Sequence, residues 1–586
     1  MAYFRQAIYM PLLGFIWHTS NVRGIIPPVV NNFSPRRCLI VLTSFALFGA
    51  LLMGACQVEG PEHSGTLPST TGDAGLTVVP PTPFQSINQT PTASVVNLWL
   101  SPALPDKLRT RMVDLVDQGA GGFQLAGEPS TAQVKVEPGG EVRIAEWVYS
   151  LVAPFPTVED GMSYESLHAL WSGEGQEGKR IFLTKDVFEA MSAVMGIPSR
   201  SRVHITAPED LLERAWEERP AYAIVPFEDL EPRWKVLELD GQSPIRKNFD
   251  RDAYPLVASF GISGDTEKAV QLRAAFGPPF SNYDPNKLTT LVMTGVTALT
   301  RATAWRMESH GIGYPGELIG EWLSEADFAH VSNEVPFFSG CPAPDPVQEK
   351  LKFCSDPSYI QLFVDLGIDL VELTGNHVWD YGSEGLAFTL DLYRQYGMEY
   401  FGGGEDLEDS FQTVRLEHNG NRLAFLGCNW IGPKYAWAGE EKPGATPCDW
   451  ERLREELRIL NEEGYLPIFT FQWSELPAPS PAQEDAFRDA VDAGAVIVSG
   501  SQAHQPLGFA FHQGGFIHFG LGNLFFDQMQ TYELRQEFID RYVFYDGRHI
   551  STELLTALLE NYAQPRPMSP SERSVLLERI FVDSGW

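Results

Sequence analysis

From residue 288 to residue 525 one unit recurs: a short apolar run, a small polar cluster at its end, then a stretch with helical spacing. The runs are TLVMTG, DFAHVS, DLVELTG, RLAFLGC, PIFTFQ, AVIVSG and GFIHFGLGN. Helical spacing fills most of the gaps, at 315–325, 356–366, 384–396, 449–463 and 481–493. Short apolar runs of this kind are strands buried on both faces, and the spacing between them is that of amphipathic helices. Ser383 is placed to cap the third helix and Gly397 to end it. Alternation that passes into hairpins in its second half predicts a layered α/β sandwich, with chemistry at the carboxyl ends of its strands.

A chain of 586 residues is too long for one core. The region 95–287 carries its own alternation. SVVNLWLS, EWVYSLVAPFPTV and AYAIVPFEDL read as strands, and LPDKLRTRMVDLVDQGAGG, TKDVFEAMSAVMG and APEDLLERAWEE as helices. This predicts an α/β domain with a largely parallel sheet. Its phrases YSLVAPFPTVEDGMSYESLHALWSGE and AIVPFEDLEPRWKVLELDGQSP resemble type 2 periplasmic solute-binding domains, which implies that fold and a place for a small solute. The expected fold class is therefore α/β: a periplasmic-binding-protein-like domain at 95–287, then the layered sandwich at 288–530. Residues 531–586 hold a hairpin around Asp546-Gly547 and a helix capped by Ser569, expected to cover an edge of the sandwich.

The first 94 residues read differently. Arg36 and Arg37 precede an apolar run of 18 residues, Cys38 to Ala55. The run resembles a bacterial lipoprotein signal, with Met53-Gly54-Ala55-Cys56 as lipobox and Cys56 as the lipidated residue. An uncleaved anchor is the alternative, since the run is just long enough to span a bilayer. Either reading places the rest of the chain outside the membrane. Residues 1–35 fit no targeting pattern, as they would if the start codon were placed too early; with the signal they form the segment 1–56. Residues 57–94, rich in Pro, Thr, Ser and Gly, read as a flexible tether. The formal charge of −33 argues against nucleic acid, since a polyanion would meet repulsion. Four cysteines follow the signal, and spacing suggests the disulfides Cys341–Cys354 and Cys428–Cys448. Four cysteines allow three pairings, and a zinc site is the other use, though no Cys-x-x-Cys occurs.

Polar clusters close several strands of the second domain: Ser332-Asn333-Glu334, Gly375-Asn376-His377, Gln472-Trp473-Ser474-Glu475 and Gly500-Ser501-Gln502-Ala503-His504. Carboxylate, amide and imidazole groups converging on one sheet edge suit a divalent metal such as Mn, Fe or Zn. Taken together, these segments resemble the CapA family, the poly-γ-glutamate capsule synthesis proteins of the calcineurin-like metallophosphatase superfamily, over residues 290–530. LTGNHVWDYGSEGLAFTLDLYRQYGMEYFGGG is similar to the family's Asn-His-x-x-Asp-Tyr-Gly segment, and SNEV to its Asn-Leu-Glu strand end. VDAGAVIVSGSQAHQPLGF and GGFIHFGLGNLFFDQ are similar to its last His-containing loop and its closing Gly-Asn-Phe motif.

The resemblance implies a hydrolase or transferase of metallophosphatase fold holding a divalent metal, but the ligand set is reduced. Thr294-Gly295-Val296 stands where the family has Gly-Asp-Val, Gln472-Trp473-Ser474 where it has His-Trp-Gly, and Gly500-Ser501-Gln502-Ala503-His504 where it has Gly-His-His-Pro-His. Glu334, Asn376, His377 and His504 remain as candidate catalytic residues and as the only metal candidates, with Asp527 nearby in the motif. A two-metal centre needs more ligands than these. Asn333, Asp380, Gln472, Trp473, Gln502 and Asn523 are the candidate substrate-binding residues, with Trp473 offering a stacking face. Glu334 with His377 or His504 would make a metal-free acid/base pair if within hydrogen-bond reach. The plainer alternative is that Asn376 and Asn523 tie turns together and His377 packs. The expectation is a surface lipoprotein acting in synthesis, anchoring or processing of an anionic exopolymer such as poly-γ-glutamate. The alternative is a catalytically inactive polymer-binding or solute-sensing protein.

Overall fold

The computed structural model describes residues 95–119, 122–174 and 178–586. The expected lipoprotein signal, Cys56 and the expected tether at 57–94 lie outside these residues. No helix among the described residues is long and apolar enough to cross a membrane.

Val142–Pro154, thirteen residues and buried over most of its length, is the spine of a ten-stranded sheet. Its first half pairs antiparallel with Val257–Gly264 and its second half antiparallel with Ala221–Pro226. A parallel group lies on either side. Val96–Leu100 sits between Phe123–Leu125 and Val134–Pro138, and Arg180–Leu183 between Val203–Ile205 and Ala221–Pro226. The sheet is thus mixed, where the sequence suggested a largely parallel one. Length is the reason: thirteen residues reach about 40 Å at ~3.3 Å each. One strand can therefore thread both groups and meet a returning strand in each. Trp147, Tyr149 and Phe260 lie fully buried in its core, each contributing about 1.5–3 kcal/mol of apolar burial.

Two further sheets stack in the second half. The nine-stranded one runs Glu399–Phe401, Leu370–Glu372, Phe328–Asn333, Leu288–Thr294, Gln536–Tyr545, Arg548–Glu560, Gln564–Pro567 along its main path. The six-stranded one runs Val414–His418, Asn421–Asn429, Leu466–Gln472, Ile497–Ser501, Gly515–His518, Phe509–His512. Leu291, Phe425, Ile468, Ile497, Phe538 and Tyr542 fill the space between them. The outer faces are covered by helices: Gly382–Tyr396 through Leu386, Leu390 and Tyr393, and Trp450–Glu462 with Pro481–Asp492 through Leu453, Leu457 and Phe487. The result is a helix–sheet–sheet–helix sandwich, the layered α/β architecture that the strand and helix alternation predicts. Gly397 ends Gly382–Tyr396 in a left-handed conformation, as its sequence suggests, but Ser383 lies inside the first turn and Tyr381 occupies the cap position without a side-chain cap bond.

The C-terminal hairpin is part of a sheet. Gln536–Tyr545 pairs along its whole length with Arg548–Glu560 on one side and through Ile539 to Tyr545 with Leu288–Thr294 on the other. The turn residues Asp546 and Gly547 both have positive φ, the geometry that matches strand twist in a two-residue hairpin. Val543, Tyr545 and Ile550 also join the core of the first sheet. Only the helix Pro570–Asp583 acts as a cover, closing the inter-sheet core with Leu576, Leu577 and Ile580 from a Ser569–Glu572 capping box.

Candidate functional site

Four parallel strands deliver their carboxyl ends to one rim. Phe328–Asn333 and Leu370–Glu372 are neighbours in one sheet, and Leu466–Gln472 and Ile497–Ser501 in the other. Ser332 Oγ and Ser501 Oγ, 3.0 Å apart and buried, tie the two sheets together there. Gly375 lets the next turn come close: a Cβ at that position would lie 2.8 Å from the Glu334 Cα.

The centre is the Gln472 side-chain amide. Its Nε2, with two N–H hydrogens, faces three acceptors: Glu334 Oε1 at 3.3 Å, Asn376 Oδ1 at 3.3 Å, and Gln502 Oε1. Gln502 Nε2 then donates to Glu475 Oε1 at 2.7 Å. Two imidazoles flank this chain of amides. His377 Nδ1 lies 2.8 Å from Asp380 Oδ2, and the same oxygen accepts from the Phe353 N–H at 2.7 Å. His504 Nδ1 lies 2.8 Å from Asn523 Oδ1, and Asn523 Nδ2 donates to the His504 carbonyl at 3.1 Å and to the Leu534 carbonyl at 3.2 Å. Burial disfavours the charged form of His377, but the Asp380 hydrogen bond and the charges of Glu334, Asp380 and Glu475 outweigh it, so its pKa is raised. Its ring is half-buried and reachable. The arrangement offers an imidazole whose charged form is favoured, beside a row of amides, suited to a carbonyl or carboxylate oxygen.

An arginine that sequence reading missed lies between the imidazoles. The Arg301 guanidinium sits over Phe353 at 4.9 Å and Phe526 at 5.0 Å and pairs with Asp527. Asp527 also accepts from the Ala302 N–H at 3.0 Å. Phe353 packs on His377 and Phe526 on His504, with ring centroids 4.8 and 5.3 Å apart. Arg301, Gln502 and His504 all take positive φ, at 46°, 82° and 57°, a conformation that costs a non-glycine residue on the order of 1–3 kcal/mol and gathers at functional sites. Glu475, just past the end of Leu466–Gln472, is the carboxylate that holds Gln502.

Several assignments need correction. Asn333 faces away from the rim: fully buried, it donates to Tyr393 Oη at 2.7 Å and to the Val335 carbonyl at 2.8 Å. Trp473 offers no stacking face, because it is 4% exposed and stacked on Trp430 at 5.0 Å; Trp430, 53% exposed, is the available aromatic. The hydrogen-bonded carboxylate of His377 is Asp380, and Glu334 acts on it only through charge. Asn523 is wholly buried and holds the His504 loop.

The residues do not fit a metal centre. Val296 and Ala298, at the first strand end, join Val335, Phe353 and Phe526 in an apolar cluster. Glu334 and Asn376 accept from an amide N–H₂, which has no lone pair for a cation. Among the described residues no group of three or more His, Cys, Asp or Glu is placed to hold a metal ion. The cysteines are joined as Cys341–Cys354 and Cys428–Cys448, with Cα–Cα distances of 5.8 and 5.1 Å.

Comparison with known proteins agrees with this domain. Residues 290–528 match the family described as bacterial capsule synthesis protein PGA_cap. The capsule biosynthesis protein CapA of Bacillus anthracis is 25% identical over 284 residues, covering 47% of this chain and 68% of that protein. The PGA biosynthesis protein CapA of Bacillus subtilis (strain 168) is 26% identical over 175 residues, covering 29% of this chain and 46% of its own length. Among solved structures, a 5'-nucleotidase precursor from Thermus thermophilus aligns over 50% of this chain and 59% of its own, at 13% identity and a TM-score of 0.31. Residues 290–528 are thus similar to the bacterial capsule synthesis protein family PGA_cap.

Proposed function

We propose that this protein works outside the cytoplasmic membrane in the synthesis, anchoring or processing of an anionic exopolymer of the poly-γ-glutamate kind, through a rim that needs no metal. The observation that carries the reading is the Gln472 amide, which joins Glu334, Asn376 and Gln502 from both sheets where the family places its ligands. Amides of this sort exchange hydrogen bonds with a polyamide backbone, and the His377 imidazolium donates to a carboxylate or carbonyl oxygen beside them. The names of the two Bacillus relatives support the polymer class. Two closed disulfides support an oxidising compartment, and a lipid on Cys56 would hold the chain at the membrane surface.

The test is titration of the full chain with end-labelled poly-γ-glutamate, followed by both anisotropy and polymer length. Wild-type protein is expected to bind, and His377→Ala to bind several-fold more weakly with an unchanged unfolding temperature. A wild-type chain that neither binds nor alters the polymer rules the reading out.

A further inference from the structure

Both disulfide loops carry lysines that lean on aromatic rings beside the rim. Lys352, in the Cys341–Cys354 loop, lies 4.4 Å over the Tyr381 ring. Lys434 and Lys442, in the Cys428–Cys448 loop, lie 5.7 Å over Trp437 and 5.0 Å over Trp379. The rings are linked to one another and to the site. Trp379 meets Tyr435 at 6.2 Å, and Lys442 Nζ donates to the Tyr435 carbonyl at 2.7 Å. Trp437 Nε1 donates to Asn429 Oδ1 at 3.1 Å, while Asn429 Nδ2 donates to the Thr374 carbonyl at 2.7 Å, at the base of the Asn376-His377 turn. Trp430 N–H donates to the Gln472 carbonyl at 3.0 Å.

These cations are unusual in a chain of charge −33. Among the described residues the lysine ion pairs belong to Lys179, Lys235, Lys247, Lys268 and Lys287. Asp345, Glu349, Glu440 and Glu441 share the two loops with Lys352, Lys434 and Lys442 without pairing to them. An ammonium held over a ring keeps its charge and its outward N–H donors while losing side-chain freedom, so less entropy is lost when an anion arrives. Tyr435 and Trp430, 56% and 53% exposed, belong to the same Cys428–Cys448 loop as Lys434 and Lys442. The centre of the rim, by contrast, is rich in carboxylates and amides.

We infer that Lys352, Lys434 and Lys442 form a track that seats the pendant carboxylates of a poly-γ-glutamate-type chain, while its amide backbone crosses the Gln472–Asn376 row. The inference rests on the function proposed above and adds which surface supplies the charge recognition.

The experiment uses the full chain and its Lys352→Gln/Lys434→Gln/Lys442→Gln variant, titrated with end-labelled poly-γ-glutamate at about 50 mM and about 300 mM salt, where screening lengths differ about 2.4-fold. Wild-type affinity should fall with salt. The variant should bind about tenfold more weakly at low salt and lose most of the salt dependence. Lys352→Gln/Lys434→Gln, both exposed positions, should show an intermediate loss, with thermal unfolding as the folding control. A triple variant with wild-type affinity and salt dependence overturns the track and leaves the proposed function standing. A wild-type chain blind to the polymer overturns both. Tighter lysine-dependent binding of polyphosphate or of phosphatidylglycerol vesicles than of the polymer also overturns the assignment.

Discussion

Gln472 and Glu334, 138 residues apart in the chain and on different sheets, meet with Nε2 3.3 Å from Oε1. Glu334 is 2% exposed, so this amide is what compensates a buried carboxylate. Gln472→Ala should cost on the order of 1–3 kcal/mol. Gln472→Glu should cost more at pH 7, because it puts a second carboxylate in one buried site in place of the amide donor. Thermal unfolding of both variants at pH 7 measures this. Equal stability at pH 7 would show that Glu334 is not compensated through Gln472.

Metal content follows from the same contacts. The purified chain, freed of added metal, should hold substoichiometric transition metal, because the amide of Gln472 and Gly295, which carries no side chain, stand where ligands are expected. Elemental analysis that returns two tightly held ions per chain would overturn the metal-free rim.

The strand ends were legible because a buried apolar run followed by polar residues has few uses other than a rim. Which member of each pair faces the rim was not. Successive residues leaving a strand point to opposite sides, so Asn333 turns toward Tyr393 while Glu334 turns toward Gln472. Trp473 and Gln472 part in the same way. Arg301 lies in a stretch with no polar cluster of its own, and only the folded chain brings Phe353 and Phe526 to its two faces. The mixed first sheet was hidden for a related reason: hydrophobic period tells strand from helix but carries no sign for the direction of the partner.

Glu228 gives a stability prediction in the first domain. Burial pushes its pKa up to about 7, against a hydrogen bond from Asn282. The folded state therefore favours the protonated form. Its contribution is fully present below the unfolded value near 4.5 and is lost as pH rises toward 7, a penalty of about 3 kcal/mol above that. Glu228→Gln, which keeps the shape and removes the charge, should raise the unfolding temperature at pH 8 and change it little at pH 4. A shift of the same size at both pH values would mean that titration of this group does not contribute.

His377 titrates with the opposite charge change. Burial favours its neutral form, yet the hydrogen bond to Asp380 and the charges of Glu334, Asp380 and Glu475 raise its pKa above the ordinary 6.5. The protonated ring is thus the form the fold prefers. The stabilisation is complete below about pH 6.5 and is lost as pH rises through the folded value. The same proton makes the ring a charge-assisted donor, so polymer affinity should fall across that window, over and above any effect of salt. Asp380→Asn should lower the His377 pKa, followed through its ring-proton resonance, and move the fall in affinity to lower pH by the same amount. His377→Gln should bind more weakly and show no such fall. If the affinity profile stays in place while the His377 resonance moves, the proton that matters sits elsewhere, and His377 only shapes the turn.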